Sequence, residues 1–233
     1  VALGDRFEWT WEKNPPRVEA SPDADGKALT LNLMRSTSGT APPSAAVKTV
    51  IIDPGHGGAA TGAVGKRGLY EKDLTLRVAL KLRDLLAAQG FAVVLTRETD
   101  TNVPLADRAE FANARRGDVF VSIHANASRV VSARGAETYF MSYDPIDEDS
   151  HHVASSENEE ALPAGGPSAA SPDPLKVILW DMAQARHLSE SSRFAEEIQK
   201  RLNVELATPD RGVKQAPFTV LMGVGMPAVL VEV

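Results

Sequence analysis

The chain has no cysteine. That excludes disulfides and thiolate zinc sites, so any metal must be held by histidine and carboxylate. The absence does not by itself fix the compartment. No stretch approaches the roughly 18 consecutive apolar residues of a membrane span. Positive charge is not in excess either: 25 Lys and Arg stand against 31 Asp and Glu, for a net charge of −6. A nucleic-acid backbone is therefore not expected as the principal partner. Neither a methionine nor a charged-then-apolar leader opens the chain at Val1, so any export signal is expected to have been removed or to lie outside this sequence. What is present, 233 residues of which 43% are hydrophobic, suffices for one large soluble domain or a domain with an appendage.

Residues 1–47 are mixed in pattern. Phe7 to Trp11 and Leu29 to Leu33 alternate like short strands, and Ser36 to Ala46 has the Ser, Thr, Gly, Pro and Ala content of a linker. The alternating pieces fit either the tail of an upstream domain or a sheet edge packed on the main body. From Lys48 strand and helix patterns alternate, which predicts an α/β fold: a mainly parallel twisted sheet with helices on both faces, forming a single domain over 48–233. The expected elements are a strand over Lys48 to Asp53, a helix over Glu71 to Gln89 with Leu74, Val78, Leu82 and Leu85 inward, and a strand over Phe91 to Thr96. A helix opened by Pro104 runs through Arg116, followed by strands over Asp118 to His124 and Gly135 to Met141. The pattern then dissolves over 142–174, an acidic and Gly/Pro-rich stretch of a length that is usually functional or disordered inside a compact domain. Helical spacing returns from Leu175 to about Leu202, and Ala228 to Val233 reads as a last strand.

Chemistry concentrates at strand ends. Thr49-Val-Ile-Ile-Asp-Pro-Gly-His56 drives an apolar run into a glycine-walled turn, Asp118 to His124 ends in a second histidine, and Glu232 interrupts the final apolar run. In open parallel sheets ligands bind at the carboxyl ends of the strands, so these three side chains are expected to share one crevice. Glu71, at the start of the first helix, would join them, although an acid there is also favoured by the helix dipole alone. Glu232 is harder to explain as structure, because a carboxylate buried in a central strand is costly without a cation. Two imidazoles and a carboxylate on separate elements are the ligand set of hydrolytic zinc sites. His151, His152 and His187 lie in or near the irregular region, and the adjacent pair is expected to be solvated.

These stretches, IIDPGHGG, LYEKDLTL, DVFVSIHANAS and PAVLVEV, resemble in content and order the zinc-dependent N-acetylmuramoyl-L-alanine amidases of bacterial cell-wall remodelling. The resemblance implies that His56, Glu71 and His124 bind one zinc ion and that Glu232 is the general base and acid. The bond cut would be the amide between N-acetylmuramic acid and L-alanine in peptidoglycan. The acidic stretch resembles the insertion of division-associated Gram-negative members, in which a helix plugs the site and a glutamate takes the open zinc position. On that likeness residues 142–190 form a regulatory insertion, with Glu157 as the blocking residue and Glu159 or Glu160 as alternatives; a solvated acidic loop is the competing reading. The likeness further implies a LytM-type activator protein, a periplasmic location and a role in daughter-cell separation. Relatives continue past the last glutamate with a Gly-Phe-Leu-Ser-Asn-like stretch and a final helix, whereas this sequence stops at Val233. A zinc peptidase acting on wall stem peptides and a non-catalytic wall-binding module are the alternatives in function, since fold does not settle activity.

Overall fold

The computed structural model describes residues 17–22, 29–34, 47–65, 68–125, 135–142, 146–159, 174–206 and 209–233, with the backbone path alone for the first two stretches and for 174–186. Two compact units result, Val1–Ala46 and Val47–Val233. In the first, β1 (Arg17–Pro22) and β2 (Leu29–Met34) form an antiparallel pair. The alternation at Leu29 to Leu33 is thus a strand, while Phe7 to Trp11 lies outside the described residues.

The second unit is built on six strands: β3 (Thr49–Pro54), β4 (Ala92–Leu95), β5 (Val119–His124), β6 (Glu137–Met141), β7 (Val213–Ala216) and β8 (Ala228–Glu232). Their order across the sheet is β4-β3-β5-β8-β6-β7, parallel throughout except where β6 meets β8. The expected α/β class holds. Strands β3, β5 and β8 occupy the middle, and each is a nearly unbroken buried run because both of its faces are covered. The edge strands β4 and β7 are only partly buried, and Lys214 and Gln215 suit β7 to an edge.

Among the described residues five helices accompany the sheet: α1 (Glu71–Ala88), α2 (Leu105–Ala114), α3 (Glu148–Glu159), α4 (Pro174–Leu206) and the single turn α5 (Thr219–Met222). One face of the sheet packs Val50, Ile52, Val121 and Val229 against α1 and α4. The other packs Ile51, Phe120, Tyr139 and Leu230 against α2, α3 and α5. Helix α1 ends as its sequence predicts: Gly90 has φ 90°, Gly90 N–H donates to Ala87 O and Phe91 N–H to Leu86 O, which satisfies carbonyls left open at the helix end. Of its expected inward stripe, Val78 and Leu82 pack against the core while Leu85 is 60% exposed; Glu71, Thr75 and Ala79 are the buried positions, and Thr75 Oγ1–H donates to Gly55 O at 2.9 Å. Pro104 is the cap before α2 and not part of its first turn. The stretch read as patternless holds a real helix, α3, and α4 is continuous through residue 190, where the insertion was expected to end.

Candidate metal centre

Because β3, β5 and β8 are adjacent and parallel, their carboxyl ends lie together. His56 follows the end of β3, His124 is the last residue of β5, and Glu232 is the last of β8 and pairs in register with His124. Glu71 is the first residue of α1. Its Oε1 accepts from Ala125 N–H at 2.8 Å and its Oε2 from Ala63 N–H at 2.8 Å, so the carboxylate is turned inward and does not serve as a simple helix-end charge. Glu71 Oε1 lies 3.0 Å from His56 Nε2 and 3.3 Å from His124 Nδ1. Glu157, on α3, reaches the same point, with Oε2 2.8 Å from His124 Nδ1 and 3.3 Å from His56 Nε2.

Donor atoms of His56, Glu71, His124 and Glu157 all lie within 4.8 Å of one another. The carboxylates that close on the two imidazoles are therefore Glu71 and Glu157; Glu232 stands beside His124 on the sheet and outside this set. Glu159 is exposed, and Glu160 lies outside the described residues. His151 and His152 are exposed, and His187 pairs with Glu190 at 3.1 Å.

Small residues make this convergence possible. A Cβ at Gly55 would stand 2.4 Å from the His124 ring, and one at Gly62 would stand 2.6 Å from both Glu71 Oε2 and the His56 ring. The glycine before His56 thus makes room for the other histidine, a function that the local sequence does not reveal.

The electrostatics favour a cation. Burial alone would raise the Glu71 carboxyl, yet close contact with His124 and His56 holds it well below the usual carboxylate range. Glu157 is lowered in the same way, burial being outweighed chiefly by His124. Burial would push the His124 imidazole down, but Glu157, Glu71 and Glu232 drive it up to about 10. Among the described residues, neither His124 Nδ1 nor Glu157 Oε2 has a hydrogen-bond partner of acceptable geometry, although the two are 2.8 Å apart. Close approach with poor hydrogen-bond angles is what donors aimed at a shared cation display. Nitrogen and carboxylate oxygen, with sulfur absent, form a donor set suited to a borderline divalent ion.

One buried carboxylate was missed in the sequence. Because β6 runs against β8, its first residue, Glu137, pairs across the ladder with Glu232. Both are 3% exposed. Glu137 accepts from the Tyr139 hydroxyl and from Arg211, and Lys214 Nζ lies 3.6 Å away. Burial and then Glu137 push the Tyr139 hydroxyl up, which keeps it a donor. An acid opening the apolar run Glu137-Thr-Tyr-Phe-Met141 is the same kind of signal that singled out Glu232.

The family model described as N-acetylmuramoyl-L-alanine amidase matches residues 50–233, which include every residue of this centre. The chain belongs to that family. It is 33% identical over 205 residues to the amidase AmiA of Escherichia coli K12, covering 86% of this chain and 71% of that one. It is 32% identical to the amidase AmiC of Neisseria meningitidis serogroup B, covering 92% of this chain and spanning half the length of that relative. Among solved structures, the N-acetylmuramoyl-L-alanine amidase of Clostridium difficile 630 matches with a TM-score of 0.57 at 32% identity, over 80% of this chain and 78% of that one. The fold of this amidase-family chain is accordingly that of the catalytic domains.

Proposed function

We propose that the chain is a zinc-dependent hydrolase that cleaves the amide between N-acetylmuramic acid and L-alanine in peptidoglycan. Residues 48–233 form its catalytic domain and residues 1–47 an amino-terminal segment and linker. The observation that carries this reading is the convergence of His56, Glu71 and His124, from three separate elements, on one point. These three would hold the zinc ion, which when bound polarises an amide carbonyl and lowers the pKa of water. Glu232, buried in register with His124, would accept the proton of the attacking water and return it to the departing L-alanine nitrogen. Glu137 next to it is held in place by Tyr139 and Arg211.

Residues 142–190 are read as a regulatory insertion. Its helix α3 brings Glu157 to the centre, where a carboxylate as fourth ligand competes with the water the reaction needs. The resting chain is then autoinhibited, and a LytM-type activator in the periplasm would draw α3 away during daughter-cell separation. With a net charge of −6 no nucleic-acid partner is proposed, and among the described residues no helix is long and apolar enough to cross a membrane.

Digestion of purified sacculi with the Glu157→Ala chain, with and without a chelator, tests the reading. Chelator-sensitive release of stem peptides beginning in a free L-alanine amine is expected, and Glu232→Gln added to that chain should retain zinc and release nothing. Shortened stems would replace the amidase by a peptidase, and no metal-dependent product would leave a wall-binding module.

A further inference from the structure

His56 is one of two non-glycine residues with positive φ among those described, at φ 60°. A side chain in that left-handed region is disfavoured and persists only where its surroundings fix it. Here the surroundings are two buried guanidinium groups. Arg108, on α2 and 1% exposed, donates to Pro54 O at 2.8 Å and to His56 O at 3.0 Å, while its remaining donors meet Val103 O at 2.8 Å and Asp53 Oδ1 at 3.0 Å. Arg97, 3% exposed, shares the Pro54 carbonyl, donating to it at 3.0 Å and to Gly55 O at 2.8 Å, and its other bonds reach Lys72 O, Thr75 Oγ1 and Thr99 O. Three consecutive carbonyls are thereby gripped.

Resting on the metal-centre reading above, we infer that Arg97 and Arg108 are positioning residues that set the zinc affinity of the centre by locking the Pro54-Gly55-His56 turn. A merely structural ion pair would need one cation facing Asp53. Two cations on the carbonyls of one turn, beneath a site for a third, are electrostatically unfavourable unless their several donors are needed. Guanidinium supplies five donors in a rigid fork, whereas an ammonium cannot reach carbonyls on both sides of the turn at once. Groups that orient a ligand in this way typically alter metal affinity 10- to 100-fold when changed.

The test is zinc competition against a chromophoric chelator, with the native chain, Arg97→Lys, Arg108→Lys and the core variant Val220→Ala measured well below their melting temperatures. Each arginine variant should bind zinc roughly 10- to 100-fold more weakly. Val220→Ala, which truncates a buried α5 side chain that takes no part in the hydrogen bonds of the turn, should lower the melting temperature and keep native affinity. If one arginine variant does not fold, the other decides. Native affinity in the arginine variants, or an equal loss in Val220→Ala, overturns the inference alone. Failure of the native chain to take up zinc would remove the metal-centre reading and the inference together.

Discussion

On the proposed reading, Glu157 is the residue on which regulation turns. Its side chain is 11% exposed, and it faces the two imidazoles from a helix whose own sequence is mostly polar. A charged contact of this kind is worth about 1.5–3 kcal/mol, so Glu157→Ala should raise basal hydrolysis of purified peptidoglycan roughly ten- to hundredfold. An unchanged basal rate would end the assignment. The two histidines and Glu232 were legible in the sequence because each interrupts or ends an apolar run, and parallel strands gather such ends. Glu71 was legible by likeness to a family more than by chemistry, since a helix-end acid has an ordinary explanation. Glu137 carried the same signal as Glu232 but needed the reversal of β6 to bring it to the same edge, and strand direction is not written in a five-residue run. The arginines under the turn gave no signal, since a lone Arg on a helix or after a strand is ordinarily solvated.

At the level of elements, α3 is held by its end. Asn158 Nδ2–H donates to Pro217 O at 2.8 Å, and its Oδ1 accepts from Thr219 N–H at 2.8 Å. Ala154 and Val153 supply only a small apolar seat. Two hydrogen bonds of about 1 kcal/mol each are a large part of what fixes such a helix, so Asn158→Ala should increase its opening roughly 5- to 30-fold. Hydrogen exchange would read this as faster exchange over α3 with β3, β5 and β8 unchanged; loss of protection across the whole sheet would mean the residue supports the fold at large. The small seat is also why α3 was legible only through the likeness to a family and not by periodicity: a helix with no apolar stripe has no period to detect. The central strands were found because burial on both faces demands continuous apolar runs. Edge strand β7, with Lys214 and Gln215 among its four residues, offered no such run.

Acid should weaken the whole unit in part through one buried pair. Asp53 and Arg108 are both fully buried and join the central strand β3 to α2. Burial would raise the Asp53 carboxyl, yet Arg108, Thr96 and Ser122 hold it below the usual range. A depressed carboxyl stabilises the fold above its unfolded value of about 3.9 and ceases to do so as pH falls through the lower folded value. Asp53→Asn strands a buried guanidinium and should lose about 3–5 kcal/mol at pH 7. In urea titrations that gap should narrow below about pH 4; a gap of the same size at pH 3 would point to lost packing and not to charge. In dilute solution the whole chain has another property that its parts lack. Glu157 is tethered to the centre it meets, so its effective concentration there is set by chain geometry and does not fall when the protein is scarce. Under the autoinhibition proposed above, a few copies in a cell would be as quiet as a concentrated stock, and an activator would have to shift the helix itself, because no amount of dilution will.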